Sequence, residues 1–556
     1  MNTKRTDWFK NAIIYQIYPR SFCDSNGDGL GDVLGIVSKL DYLKTLGVNC
    51  LWLSPIYDSP QVDNGYDISN YYDIYPPFGT LEDVKKLIKA AHERDIRIIM
   101  DLVANHTSDM HPWFQSVCND KNSPYKDYYI IKKGKKNGKK PPTNWSGFFS
   151  EKAWEKLPNS EDEYYLHLFA KGQPDLNWEN PKLREEIKNI LRFWLDMGID
   201  GFRCDVINLI SKRQDYKSSF PLPALTGHKN FINGPRLHEF LHELHQDVYA
   251  NYDSMTVGET VFCDVEQAIK LVSPEREELE MIFNFDHTDT DNFFGVKYLP
   301  RKFSLKKLKK VVKKWQNGLY QKGWNSLFVE NHDQRRSSGR FGTVDNGELR
   351  ETSAKCLALT YFLLSGTPFI YQGQEIGMTN AHFKNVDETQ DVEIKNISKI
   401  LAKIPFFSRK LGKIALEVSR DNARTPMCWD DSEYAGFSTH EPWLRVNSNK
   451  DIINVSKAMK EEKSLFHFYQ SLIAFRKNNE VIKEGNYLDL LPNNKKIYAY
   501  SRKYKDDEYV VVSNFSQRET KCKLLEKYKD YEILISNYDS HKDDSLLPFE
   551  TRLLKK

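Results

Sequence analysis

The sequence has almost no excess charge of either sign, no long apolar run and no closely spaced cysteines, and each deficit removes a class of function. Its 80 basic and 77 acidic residues leave a formal net charge of +3, a balance that argues against a nucleic-acid partner or an anionic membrane surface. No apolar run approaches the roughly 18 residues of a membrane span. The start, Met-Asn-Thr-Lys-Arg-Thr-Asp, has no apolar h-region before the first strand-like run. A cytoplasmic location, with no membrane partner, is therefore expected. The 8 cysteines (Cys23, Cys50, Cys118, Cys204, Cys263, Cys356, Cys428 and Cys522) include no CxxC, so they read as reduced, buried thiols. HxxxH spacing is missing around His106 and His332, which removes a zinc site there. One charged run breaks the balance, Lys132-Lys133-Gly134-Lys135-Lys136-Asn137-Gly138-Lys139-Lys140. It reads first as a solvated surface loop and second as a phosphate-binding patch.

What is present is a globular composition, 40% hydrophobic and 13% aromatic, in a chain too long for one core, so two or three domains are expected. Strand-like runs alternate with amphipathic helices such as Leu81–Arg94 and Lys182–Met197, the pattern of a parallel α/β architecture. Eight strands are predicted: Ala12–Tyr18, Cys50–Ser54, Arg97–Val103, Gly201–Val206, Met255–Glu259, Met281–Asp286, Ser326–Asn331 and Pro368–Gln372. Eight such units close into a (β/α)8 TIM barrel. Residues 104–177, rich in Gly, Pro, Asn and Lys, read as a loop-rich domain inserted after strand 3. The barrel then occupies 1–103 and 178–478. The tail from Asn479, with Tyr498-Ala499-Tyr500-Ser501-Arg502 and Tyr509-Val510-Val511-Val512-Ser513, reads as a small antiparallel β-sandwich over 479–556.

Three short runs end in an acid: Gly201-Phe202-Arg203-Cys204-Asp205, Thr256-Val257-Gly258-Glu259 and Glu330-Asn331-His332-Asp333. Acids at the carboxyl ends of barrel strands stand where the active sites of that fold lie. Arg203 and Asp205, two apart on a strand, share a face, and a guanidinium there should hold the Asp205 pKa down. From spacing alone Asp205 is equally a nucleophile or a structural acid in an arginine pair. A Glu leaving an apolar strand is partly desolvated and keeps its proton, or else caps a helix. Together with Asp101-Leu102-Val103-Ala104-Asn105-His106, these motifs occur in an order that resembles glycoside hydrolase family 13, the α-amylase family, from about Trp8 to the end of the chain.

The resemblance implies roles. Asp205 would be the nucleophile, Glu259 the acid/base, and Asp333 the acid that holds and distorts the sugar. His106 and His332 would bind the same glucosyl unit, and Asp101 would orient Arg203. Gln61-Val62-Asp63-Asn64-Gly65-Tyr66-Asp67, Gln173-Pro174-Asp175 and Arg420-Asp421-Asn422-Ala423-Arg424 resemble the exo-acting α-glucosidase branch. There Asp63 would take hydroxyls, Tyr66 would stack on the ring, Gln173 would neighbour the site and Arg424 would bond the terminal glucose. Val206, after the nucleophile, resembles members that cleave α-1,6 bonds, where a β-branched apolar residue shapes the next sugar's site. The expectation is a monomeric retaining exo-α-glucosidase acting on small isomalto-oligosaccharides. Sucrose or trehalose 6-phosphate are alternative substrates, and a non-catalytic binding subunit is a remote one. Thr260, Glu330 and the Arg335-Arg336 pair depart from the branch's pattern and should touch the leaving-group rim. Asp286-His287-Thr288-Asp289-Thr290-Asp291 stands where sucrose-isomerising relatives carry an Arg-rich loop, which argues against isomerisation.

Asp24-Ser25-Asn26-Gly27-Asp28-Gly29-Leu30-Gly31-Asp32 places oxygens at alternate positions, like the front of a calcium loop. No Glu follows at the twelfth position, so the EF-hand reading fails. By resemblance the loop would hold a structural calcium ion through the side chains of Asp24, Asn26, Asp28 and Asp32 and the Leu30 carbonyl. A turn rich in Gly and Asp is the alternative.

Overall fold

The computed structural model describes residues 6–556 except 150–151, 223, 294–295, 345–346, 402–404 and 478. Eight parallel strands close into a barrel: β1 (Ile14–Ile17), β2 (Cys50–Leu53), β3 (Arg97–Val103), β4 (Gly201–Asp205), β5 (Met255–Glu259), β6 (Met281–Phe283), β7 (Trp324–Leu327) and β8 (Thr367–Tyr371). Each pairs with its sequence neighbours, and β8 closes on β1 through Ile14–Phe369. Most positions in these strands are buried, because helices cover the outside while side chains fill the lumen. Alternate residues Cys50 and Trp52, Met255 and Val257, and Met281 and Phe283 form one lumen cluster with Ile99, Trp324 and Phe369.

The helices follow from pattern and caps. Helix α1 (Leu81–His92) buries Val84, Leu87, Ile88 and Ala91, one face at helical spacing, and Thr80 and Asp83 form a capping box at its start. Helix α2 (Pro181–Met197) starts with an Asn180 cap and a proline in its first turn, and ends at Gly198 in the left-handed conformation, as unpaired helix termini demand. Gly201 opens β4 because a Cβ there would stand 2.1 Å from the Met255 carbonyl of β5.

Three departures from the sequence reading concern strand ends. β1 is shorter at both ends than Ala12–Tyr18. β6 stops at Phe283, and Asp286–Asp289 is a 3-10 turn. β7 runs Trp324–Leu327, so Glu330-Asn331-His332-Asp333 lies in the loop beyond it. The β7–β8 ladder ends at Leu327–Pro368, where proline has no amide to carry it further.

Between β3 and α2 the chain makes a three-stranded antiparallel sheet, with Glu163–Leu166 between Ile131–Lys133 and Trp154–Lys156. The basic run lies at its edge: Lys133 pairs with Asp162 at 3.6 Å and Lys132 sits over the Tyr216 ring, a solvated hairpin. After the barrel, five antiparallel strands form a sheet: β9 (Asn486–Asp489), β10 (Ile497–Tyr504), β11 (Asp507–Asn514), β12 (Glu532–Ser536) and β13 (Thr551–Lys555), in the order β9-β10-β11-β13-β12. Lys309, from a barrel helix, donates to the carbonyls of Asn494 and Ile497 and ties this sheet to the barrel. All eight cysteines are free. Among the described residues no helix is long and apolar enough to cross a membrane.

Candidate active site

Register sets the site. β3 and β4 pair Asp101 with Arg203 and Val103 with Asp205, while β4 and β5 pair Arg203 with Val257. The carboxyl ends of these strands therefore bring Asp101, Arg203, Asp205 and Glu259 together. One buried guanidinium joins them. Arg203 Nη1 donates to Asp101 Oδ1 and, at 2.6 Å, to Asp205 Oδ1. Its Nη2 donates to Glu259 Oε2 at 2.5 Å. Asp101 is fixed from the lumen by Trp52 Nε1 at 2.8 Å, which makes it an orienting group.

Burial pushes Asp205 up to about 6, against the pull of Arg203. The sequence expectation that Arg203 holds this acid down is overturned, because the site is dry enough for desolvation to outweigh the pair. Burial pushes Glu259 to about 7, with Arg203 again opposing and Asp205 adding to the rise. The backbone amide of Val206 donates to Glu259 Oε2 at 3.3 Å. Val206 holds φ 34° and ψ 40°, a left-handed backbone that is strained for a β-branched residue and of the kind that clusters at functional sites.

Asp333 faces this group from the β7 loop. Arg424 Nη2 donates to its Oδ1 at 2.6 Å, and His332 Nε2 lies 3.0 Å from its Oδ2. Burial alone would raise Asp333, but His332, Arg424 and Arg420 bring it well below the ordinary carboxylate value. The Gln16 amide donates to His332 Nδ1 at 2.8 Å, which leaves the ring proton on Nε2. Burial lowers the His332 pKa, against the pull of Asp333. Tyr66 stacks on His332 at 5.4 Å and 6°, and its hydroxyl bonds Nε2 at 2.9 Å. At the far end His106 Nε2 donates to the Tyr66 carbonyl at 3.0 Å, and Gln173 Nε2 donates to Asp63 Oδ2 at 3.3 Å. The carboxylates, histidines and partners assigned to the sugar site from sequence thus converge on one centre.

Several residues of this centre escaped the sequence reading. Arg420 reaches Asp63 at 3.3 Å and Asp333 at 3.5 Å. Asp67 accepts from the amides of Val62 and Asp63 and so shapes that loop. Gln16 sets the His332 tautomer. Arg420 had a signal, four residues before Arg424 in one motif; Gln16 had none. Three expected rim residues are instead interior: Glu330 and Arg336 pair at 3.1 Å, both buried, and Thr260 is buried, its hydroxyl donating to the Phe283 carbonyl. Arg335 is partly exposed and pairs with Asp291.

The glycine-rich loop follows β1. Asp24 Oδ1 accepts from the amides of Asn26 and Gly27, and its Oδ2 from Gly29 and the Ser438 hydroxyl. Asn26 accepts from Asp28, and Asp28 from Leu30. Asp32 caps the next helix through Gly35 and also accepts from Ser25. A Cβ at Gly29 would meet the Glu441 carbonyl at 2.3 Å, so the loop is jammed against residues 438–442. The donor set is all oxygen, as calcium requires, and Asn26, Asp28 and Asp32 retain free lone pairs. Asp24, with four donors, would have to release one. Among the described residues no three His, Cys, Asp or Glu side chains converge as a metal cluster, so a cation here needs Asn26 and the Leu30 carbonyl as well.

Comparison with known proteins agrees with this geometry. A family model described as "Alpha amylase, catalytic domain" matches residues 16–485, and one described as "Alpha-amylase SusG C-terminal domain" matches residues 497–547. The chain is 48% identical to an oligo-1,6-glucosidase of Parageobacillus thermoglucosidasius, covering 99% of each. It is 43% identical to a trehalose-6-phosphate hydrolase of Bacillus subtilis, over 99% of this chain and 98% of that one. A solved trehalose-6-phosphate hydrolase from Bacillus licheniformis matches with a TM-score of 0.93 at 42% identity, over 99% of both chains.

Proposed function

The chain belongs to the α-amylase family of glycoside hydrolases, and on that premise we propose that it is a retaining exo-α-glucosidase that removes terminal α-1,6-linked glucose from isomalto-oligosaccharides. One arrangement supports the mechanism: three acids share the Arg203 guanidinium, Asp101 is taken up by Trp52 in the lumen, and of the remaining two Glu259 is pushed higher, to about 7, than Asp205, to about 6. In that order Asp205 is the ionised nucleophile and Glu259 the proton donor. Asp205 attacks the anomeric carbon while Glu259 protonates the leaving oxygen. Glu259, now a carboxylate, then takes a proton from the water that opens the β-glucosyl ester, so the α-anomer is released. Asp333 and His332 accept and donate to hydroxyls whose bonds strengthen as the ring flattens.

The exo mode rests on the closed end of the pocket, where Asp63, His106, Gln173 and Arg420 are all buried and leave no passage for a second sugar. Val206, beside both carboxyls, is where the α-1,6 preference would be set. Trehalose 6-phosphate is the second reading, favoured by relatives at 43% and 42% identity. The basic groups beyond Asp333 weigh against it: Arg335 and Arg340 are spent on Asp291, and Lys297 on Glu393. A phosphate would have to displace those carboxylates. The glycine-rich loop is proposed to hold a structural calcium ion, whose chemistry is to cross-link the loop, and the protein to act as a cytoplasmic monomer.

The test is a panel of isomaltose, maltose, sucrose and trehalose 6-phosphate, with the first product followed by NMR. Isomaltose should give the highest kcat/KM, and on 4-nitrophenyl α-glucoside, whose leaving group is not a sugar, α-glucose should appear first. β-Glucose as the first product from that glucoside would overturn the retaining mechanism. A preference for trehalose 6-phosphate would change the leaving group and leave the glucosyl half of the site as described.

A further inference from the structure

Asp391 lies fully buried in the long excursion after β8, at the start of helix α3 (Val392–Leu401). Its Oδ1 accepts from Arg420 Nε at 3.0 Å and Nη2 at 2.9 Å. Its Oδ2 accepts from the Arg420 amide at 3.0 Å and the Ser419 hydroxyl at 3.3 Å. Asp421 returns the contact, accepting from the amides of Gln390 at 2.6 Å and Asp391 at 2.9 Å. The two segments are thereby bolted to each other, and the Arg420 side chain is aimed by that bolt.

The aim matters because a guanidinium has five N–H donors in a planar fork. Unrestrained, it closes on one carboxylate through two parallel bonds. Here Asp391 takes the Nε edge. The donors left over face two different acids, Asp63 at 3.3 Å through Nη2 and Asp333 at 3.5 Å through Nη1. Phe149, from the inserted domain, holds its ring centroid 5.4 Å from the guanidinium carbon. The longer contacts to Asp63 and Asp333 show which acid has the first claim on Arg420. Both site acids keep lone pairs for a ligand's hydroxyls as a result.

We infer that Asp391 is a positioning residue for the glucose pocket: by occupying one edge of Arg420 it holds that guanidinium across Asp63 and Asp333 and keeps both carboxylates open to the sugar. The inference rests on the reading that these two acids bind the terminal glucose. Without Asp391, Arg420 is free to close on one of them, and ground-state binding suffers more than the chemical step.

The test is steady-state kinetics on isomaltose. Asp391→Asn should raise KM about tenfold or more with kcat within about threefold, and Asp391→Glu, which keeps the charge, should restore KM to within about threefold. Because Asp391 acts through Arg420, adding Asp391→Asn to an Arg420→Gln background should change KM by less than about twofold. A merely structural Asp391 would lower the melting temperature and raise KM by the same factor in both backgrounds. Unchanged KM in Asp391→Asn, or equal factors in both backgrounds, overturns the inference. If Asp391→Asn alone does not fold, the comparison of Arg420→Gln with the double variant still decides, since the double variant strands neither charge. Failure of the wild type to cleave isomaltose would instead count against the proposed substrate, and the cycle is then read with whichever panel member is cleaved.

Discussion

Replacing Glu259 with Gln should delete one arm of the pH profile and leave the other in place. Turnover needs Asp205 ionised and Glu259 protonated, so kcat/KM climbs through the first titration, at about 6, and falls through the second, at about 7. With the two values about one unit apart, roughly 60% of molecules carry the right pair near pH 6.5, and roughly a tenth do 1.5 units to either side, a fall of about sevenfold. These values belong to the interacting pair as much as to either residue, but the arms differ in what they report. Asp205 loses its proton while Glu259 is still neutral. A neutral Gln of the same shape leaves that environment intact, so the acid arm should stay near 6. The basic arm is the loss of the Glu259 proton itself, and Gln has none to lose. The profile should therefore run flat to alkaline pH. The loss of acid assistance costs about 10²–10⁴ with a sugar leaving group and far less with 4-nitrophenolate, which makes 4-nitrophenyl α-glucoside the substrate for the measurement. Azide, which needs no general base, should accelerate that variant and yield α-glucosyl azide, since it attacks the β-glucosyl ester from the opposite face. A basic arm that persists near 7 in the variant, or a β-azide product, would refute the assignment of Glu259.

Asp205→Asn should keep a normal melting transition and lose activity by several orders of magnitude, because no other group can form the ester; near-normal kcat in a folded variant contradicts the mechanism. Val206→Thr keeps the β-branch and the left-handed backbone and adds a hydroxyl beside Glu259, so the ratio of kcat/KM for isomaltose over maltose should fall by about tenfold; an unchanged ratio would make Val206 a packing residue only. Removing calcium with a chelator should lower the melting temperature, since a cation bound only to the folded state stabilises it by about 2.7 kcal/mol at a hundredfold excess over Kd. Activity well below melting should persist, and immediate loss with an unchanged melting curve would point to a metal in the chemistry.

The barrel was legible because strands covered on both faces read as continuous apolar runs, and the site was legible because each acid sits at the end of such a run. Strand ends were not, since the ends of β6 and β7 depend on the partner strand. The pKa of Asp205 was hidden for a related reason: Arg203 two residues away is visible in sequence, whereas the burial that outweighs it is a property of the closed barrel mouth. Glu330 and Arg336 look like exposed loop charges in sequence, and only the fold shows them paired in the interior. The contact of Arg420 with Asp63 spans 357 positions and that with Asp391 spans 29, and neither leaves a periodicity to read.

The same buried wall explains why a neutral sugar suits this pocket. Four acids, Asp63, Asp333, Asp391 and Asp421, lie around Arg420 and Arg424, and a third cation, Lys297, also acts on Asp391, so these acids cannot all be held alike. The acids divide instead. Asp391 is held low against burial by Arg420, Lys297 and Arg424, and Asp333 is held low as described above. Burial raises Asp63 and Asp421, each against the pull of Arg420 and Arg424. The four acids thus differ in how readily they take up a proton, Asp63 and Asp421 more so than Asp333 and Asp391. The arginines of this wall are already paired with its acids, so an added anion would have to displace one of them. Hydroxyl groups donate and accept without changing the charge, so a terminal glucose suits this wall, and an anionic substituent would have to lie on the leaving-group side.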